Sequence, residues 1–209
     1  MKTEIFLIRH AEPIKDFKKF FINDIDKQSC NEKTILSLNG EEQAKNLANI
    51  SNLSDIDVVI SSSYVRAIST AKYLVNKNNC TFYIDDNFNE RKVGNDNTNK
   101  EFWLEQMLDE NIKLTDGENQ IEVRSRMLKG IHDVLKNHSG KKIAIVSHAA
   151  AITFLLMNWC NLDEVKLEGK IRKLVFNNKV VINDSFKTPD IFKLTFTNNE
   201  INDIERINI

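Results

Sequence analysis

Cysteine, proline and glycine are all scarce in this chain of 209 residues, with three, two and six copies. Cys30, Cys80 and Cys160 are scattered and odd in number, which argues against a disulfide framework and against metal-type cysteine spacing. The shortage of proline and glycine, beside abundant asparagine, isoleucine and lysine, points to an A/T-rich gene and carries no chemistry. No apolar run approaches the roughly 18–20 residues that a membrane span needs. The chain opens on a strand-like segment charged at Lys2 and Glu4, so no signal peptide is read, and the cytoplasm is the default location. Neither charge is in excess: 29 basic against 30 acidic residues leave a formal net charge of −1. Nothing there calls for a nucleic acid or a membrane as partner. Internal repeats, low-complexity tracts and linkers are also missing, so one domain over residues 1–209 is expected.

What is present is a hydrophobic content of 41% with 28% charged residues, enough to bury a real core. The apolar segments alternate in type. Ile5-Phe6-Leu7-Ile8 reads as a buried strand, and a helix opens at Ser37, an N-cap with acidic residues in the first turn, and runs to about residue 50. A strand at 56–60 and a helix at 64–76 follow, then a short strand at 80–84 and a polar loop over 87–99. Helical patterns cover 101–110 and the stretch from the turn at 116–119 to about 137. A fourth buried strand at 142–146 leads into a small-residue run and an apolar helix over 152–159. This strand–helix alternation predicts an α/β fold, a three-layer α/β/α sandwich with a mostly parallel central sheet. The last fifty residues turn to β-type patterns at 174–182 and 191–207, with Asn198-Asn199 as a hairpin turn, and are expected to add antiparallel strands at the sheet edge. Residues 14–35 form a long irregular connection with a basic-aromatic knot at 17–21. That segment is either a lid or an amphipathic helical turn packing its phenylalanines on the body.

Three of the apolar strands stop at polar signatures: Arg9-His10 after the first, Ser61-Ser62-Ser63 with Arg66 after the second, and Ser147-His148 after the fourth. In a parallel sheet such ends share one edge, where ligands bind. Two arginines and two histidines there suit phosphate chemistry. The planar guanidinium grips anionic oxygens at two points, and a neutral imidazole is a competent nucleophile toward phosphorus. A proton donor for the leaving oxygen is still needed, and a carboxylic acid on a nearby loop would serve: Glu90, Asp85, Asp86 or Asp96. His132 and His138 lie on a charged helix and its end and read as solvated surface. A metal-ligand role for His10 and His148 reads poorly, because flanking arginines repel a cation.

Arg9-His10-Ala11-Glu12 resembles the signature of the histidine phosphatase superfamily, whose fold is phosphoglycerate mutase-like. Four more segments resemble that family's motifs, in its order: Leu36 to Ala44, Ser61 to Ala71, Glu90 to Gly94 and Val146 to Ile152. The resemblance implies that His10 becomes phosphorylated, that Arg9 and Arg66 hold the phosphoryl oxygens, and that His148 is a further donor in the phosphate pocket. Glu90 would be the general acid and would then activate water. It implies no metal or organic cofactor and a small phosphorylated substrate as the partner. The oligomeric state is not readable.

The pattern is departed from at several places. Pro13, Ser63, Asn119 and the pair Ala149-Ala150 replace other residues, and Asn95-Asp96-Asn97 replaces the usual continuation after Glu90. The added methyl groups of Ala149 and Ala150 either narrow the pocket floor or merely pack. The reading that follows is a phosphohydrolase acting on a small phosphomonoester through a phosphohistidine. Its rivals are phosphoglycerate mutase-type phosphoryl transfer and a catalytically weak binding protein of the same fold. The mutase is disfavoured because Arg91, Lys92, Lys100 and Lys113 are the few basic residues between Glu90 and Gly117 that could hold a substrate carboxylate.

Overall fold

Strand β1 (Lys2–Arg9) is buried on both faces, and its alternating side chains divide the core in two. Ile5 and Leu7 point to one side, Phe6 and Ile8 to the other. The structure, a computed structural model, describes residues 1–94, 99 and 101–208; Asn95, Asp96, Asn97 and Lys100 lie outside the described residues. From β1 the chain passes through α1 (Lys27–Lys33) and α2 (Leu38–Leu47) to β2 (Val58–Ser61), α3 (Val65–Asn78) and β3 (Thr81–Ile84). Helices α4 (Phe102–Leu108) and α5 (Gln120–Asn137) lead to β4 (Lys142–Ser147) and α6 (Ala149–Leu156). Five strands close the chain: β5 (Asn161–Lys166), β6 (Ile171–Phe176), β7 (Lys179–Asp184), β8 (Asp190–Thr197) and β9 (Glu200–Ile207).

The main sheet has the order β3-β2-β4-β1-β8-β9. Its first four strands are parallel, and β8 and β9 add an antiparallel edge. Helices α2 and α3 cover the face of Phe6, Ile8, Val59 and Val146, while α5 and α6 cover that of Ile5, Leu7, Ile60 and Ile145. The expected α/β sandwich is therefore present, with β8 and β9 at the edge and a turn at Asn198 and Asn199, both in the left-handed region.

The stretch at 174–182 departs from expectation. It does not join the main sheet but belongs to a separate antiparallel sheet of order β5-β6-β7, whose first strand the sequence pattern did not signal. β5 has two half-buried residues, Leu162 and Val165, spaced three apart across a bulge, and contributes little apolar surface, which is why a two-residue periodicity misses it. The small sheet lays Leu174, Phe176, Val181 and Ile182 into the same apolar core as α5 and α6. Helix α6 also begins earlier than expected, because Ala149 and Ala150 are its first turn rather than a linker.

The segment 14–35 is a short 3-10 turn (Phe17–Phe20) followed by α1. Its phenylalanines meet one another: Phe17, half-buried like Phe21, touches the rings of Phe20 and Phe21, and Phe20 is 65% exposed. Asp26 caps α1 by accepting from the Ser29 N–H, a local signal hidden in a polar stretch.

Candidate active site

The ends of β1, β2 and β4 meet as expected. The N–H of His10 donates to the Ser147 carbonyl and that of Ser62 to the Val146 carbonyl, both at 3.0 Å, so the ladder carries the three strands in register to their last residues. His10 and His148 then stand edge to face with ring centroids 5.0 Å apart, 5% and 0% exposed, and Arg66 between them is 5% exposed.

Hydrogen bonds define the state of each ring. His10 Nδ1 lies 2.7 Å from the Ala11 carbonyl, which only accepts, so Nδ1 carries the proton and Nε2 the lone pair. Arg66 Nε donates to that Nε2 at 3.0 Å. Arg66 Nη2 approaches His148 Nδ1 at 3.1 Å, so this nitrogen also accepts, and His148 Nε2–H donates to Ser62 Oγ at 2.7 Å. One guanidinium edge thus faces the lone pairs of two neutral imidazoles in opposite tautomers. Burial, followed by the Arg66 charge, holds both histidines well below the ordinary imidazole pKa. The remaining Arg66 nitrogen, Nη1, donates to the Asn31 carbonyl of α1, and Gln28 of the same helix donates to the Tyr64 hydroxyl at 2.7 Å. The Tyr64 ring packs on His148 at 4.8 Å, and burial pushes its hydroxyl up to about 12.

Arg9 reaches sideways from the end of β1. Its Nη1 donates at 2.9 Å to the carbonyls of both Phe186 and Lys187, in the connection before β8. Burial lowers the Arg9 and Arg66 pKa values, and the Glu90 charge acts against that on both. The Glu90 carboxylate sits at the start of α6: it accepts from the N–H groups of Ala151 (2.9 Å), Ala150 (3.3 Å) and Arg91 (2.9 Å). The other described carboxylates considered as acids are tied up in turns. Asp85 accepts from the Asn87 N–H and Asp86 from the Asn89 side chain. Asp96 lies outside the described residues. Arg9, His10, Arg66, Glu90 and His148 are thus drawn to one edge, while His132 is on the surface of α5 and His138 at its end.

The profile of the histidine phosphatase superfamily (branch 1) matches residues 5–178, from β1 to the turn after β6. The chain belongs to this superfamily. It is 32% identical over 165 residues to a protein of Schizosaccharomyces pombe named a probable phosphatase, covering 74% of this chain and 56% of that one. The chain therefore spans little more than half the length of that relative. It is 24% identical over 163 residues to a protein of an Enterobacter species named a probable phosphoglycerate mutase, covering 73% of each. Among solved structures, Bacillus stearothermophilus YhfR superposes with a TM-score of 0.68 at 17% identity, over 96% of this chain and 94% of that one.

The histidine phosphatase motifs have physical reasons in this chain. Ser37, Gly40 and Gln43 clamp the backbone just beyond His10. Ser37 Oγ donates to the Glu12 carboxylate at 2.6 Å, and the Glu12 N–H donates to Gln43 Oε1 at 2.9 Å. Gly40 is required by contact, since a Cβ there would fall 2.0 Å from the Glu12 carbonyl oxygen. Thr70 accepts from the Ala11 N–H and donates to the Arg66 carbonyl, linking the two strand ends.

Several departures are absorbed by the fold. Asn119 caps α5 in a reciprocal capping box with Glu122, and Ala149 and Ala150 pack against the core. Sequence reasoning brought Ser62 to this edge without a role and missed Tyr64, Gln28 and Asn31 as neighbours of the site. Tyr64 lies inside a quoted motif without an assigned role, and the other two sit in a stretch with no periodicity. Arg172 was missed as well. It is a buried arginine of β6 on which the Arg9 charge acts.

Proposed function

We propose that this protein is a phosphohydrolase that removes phosphate from a small phosphomonoester through phospho-His10, without a metal ion. The observation that carries the reading is the fixed tautomer of His10. With Nδ1–H held by the Ala11 carbonyl, the only lone pair on the ring is at Nε2, the atom that Arg66 faces.

In the first step Nε2 attacks phosphorus and the P–O ester bond breaks. Glu90 gives its proton to the leaving oxygen, and the phosphoryl group stays on His10. In the second, water attacks phosphorus, Glu90 takes the proton of that water, and the P–N bond breaks to return the lone pair to Nε2. Arg9 and Arg66 offer donors to the equatorial oxygens, whose charge grows as phosphorus becomes five-coordinate, and His148 adds its Nε2–H when that proton turns from Ser62 Oγ to a phosphoryl oxygen. The positive charge of the two arginines does the work that a metal would do and opposes the entry of one. A phosphoryl oxygen competes with the Asn31 carbonyl for Arg66 Nη1, so α1 acts as a lid that yields when substrate enters.

The test is phosphate release from a panel of phosphomonoesters, wild type beside His10→Ala, with EDTA present and absent. Turnover that is insensitive to EDTA and falls at least about 10⁴-fold in the variant is the expected result. An acid-labile phosphoenzyme should be trapped in wild type only. Activity retained by His10→Ala, or lost to EDTA and restored by zinc or magnesium, overturns the mechanism.

A further inference from the structure

β6 alternates half-buried and buried side chains, and its buried row is Arg172, Leu174 and Phe176. Two of these suit an apolar core. The third carries a charge at 4% exposure, among the costliest groups to bury. Its guanidinium packs against two rings, with Cζ 5.2 Å from the Trp103 centroid and 4.9 Å from that of Phe186. Nη1 donates to Thr153 Oγ1 at 3.1 Å and Nη2 to the Lys170 carbonyl at 2.7 Å. Nε is buried without a partner among the described residues, and Arg172 forms no ion pair there. The carboxylates of this region are engaged elsewhere: Asp184 and Asp190 by Arg206, Glu90 by backbone N–H groups. Burial pulls the Arg172 pKa down to about 10, and the Arg9 charge pulls the same way. Phe186 links the two cations, its carbonyl accepting from Arg9 and its ring lying on Arg172. The Nε of Arg9 is also buried without a partner among the described residues.

A buried cation with an unengaged N–H, next to a second cation, calls for an anion. The phosphoryl oxygens already have Arg9 and Arg66. Arg172 stands on the Glu90 side: Thr153, which anchors it, is one turn along α6 from the amides of Ala150 and Ala151 that hold Glu90. In the reaction proposed above, that is the side of the leaving group. We infer that Arg172 is a specificity-determining residue that binds a carboxylate on the leaving group, close to the ester oxygen, and that the substrate is a phosphomonoester of a hydroxy acid. With two rings packed against it and both Nη groups bonded, the guanidinium keeps its Nε–H as the unengaged donor for a carboxylate oxygen. Arg91, the basic residue next to Glu90, is turned away by its bond to Gln106 and lies over Phe102. The inference rests on the phosphatase reading.

Phospholactate and isopropyl phosphate differ only by that carboxylate, and p-nitrophenyl phosphate reports the phosphatase reaction itself. Wild-type protein should prefer phospholactate about 10- to 100-fold in kcat/KM, the range of a charge-assisted hydrogen bond. Arg172→Met should bring the ratio near one. Arg172→Lys, which keeps the charge and loses the planar edge, should retain part of it and lose the rest through KM. Thermal unfolding checks that each variant is folded, and the wild-type ratio and the lysine variant decide the matter if the methionine variant is not. The inference is overturned if wild type turns over p-nitrophenyl phosphate but shows no preference between the two esters, or if Arg172→Met lowers both equally. If wild type hydrolyses none of the three, the phosphatase reading has failed and the inference falls with it.

Discussion

At the ends of β1, β2 and β4 the buried polar groups are bonded to one another. In the small sheet the buried Arg172 touches only neutral groups. Both regions take charge out of water, but they do so in different ways. Arg66 is balanced by two imidazole lone pairs, a carbonyl and the nearby Glu90 charge, so it is held in one place for a job in the reaction. Arg172 is held by packing, with its Nε–H unengaged among the described residues, as suits a group that meets a variable part of a ligand. In the proposed reaction the rim serves the invariant phosphoryl group, and the small sheet serves what is attached to it.

The largest effect expected inside the rim, short of deleting the nucleophile, comes from Glu90→Gln. The amide oxygen, standing at Oε1, can still accept from Ala151 and Arg91, so the fold should hold, but the side chain cannot act as an acid. Alkyl phosphates, whose leaving group needs that proton, should slow by about 10²- to 10⁴-fold, and p-nitrophenyl phosphate far less. Steady-state kinetics on the two esters measures this. Equal losses would remove Glu90 from the role of acid and break the division between rim and small sheet, because the carboxylate would then be only a prop for α6.

A second, smaller effect tests whether the two regions are joined. Arg206 on β9 grips Asp190 through two bonds of 2.8 Å and Asp184 of β7 at 2.5 Å. Asp190 in turn accepts from the Lys187 N–H, and the carbonyls of Phe186 and Lys187 hold Arg9. Arg206→Ala leaves Asp190, 2% exposed, without its cation, at a cost of about 3 kcal/mol. It should also raise KM by roughly 3- to 10-fold as Arg9 loses its support, with kcat changed less. Urea unfolding and initial rates provide the two readouts. A destabilised variant with an unaltered KM would mean that the C-terminal strands stabilise the fold without setting the phosphate site.

The same contrast explains what the sequence made legible. An apolar run that stops at Arg9-His10 or Ser147-His148 announces a buried strand with a polar end, and the parallel order expected from the helix alternation brings those ends together. Arg172 gives no such signal. In Ile171-Arg172-Lys173-Leu174 a charge beside a lysine reads as solvated, and only the pairing of β6 with β5 and β7 reveals that it faces inward with Leu174. α1 was hidden for a related reason. Its residues Lys27, Gln28, Ser29, Cys30, Asn31, Glu32 and Lys33 contain no apolar stripe, because its contacts to Tyr64 and Arg66 are made by one amide side chain and one backbone carbonyl.

The smallest effect separates the two regions by pH. His10 and His148 are neutral in the folded protein, held by burial and by Arg66 well below the value of about 6.5 that they regain on unfolding. Below pH 6.5 the unfolded chain therefore binds two protons that the folded chain does not. Stability contributed by these residues is complete above that pH and is lost as pH falls through it. By pH 6 the pair has therefore lost part of the stability it contributes at pH 8, the loss steepening toward about 1.36 kcal/mol per proton per pH unit as titration of the unfolded chain is completed. The small sheet, residues 161–184, contains no histidine and adds nothing in this window. Urea unfolding of wild type and His10→Asn at pH 8, 7, 6 and 5.5 isolates the effect. The variant should show a stability-against-pH slope shallower by close to one proton at the acid end. An unchanged slope would mean that His10 is protonated in the folded protein, and the Nε2 lone pair on which the nucleophile rests would not be there to attack.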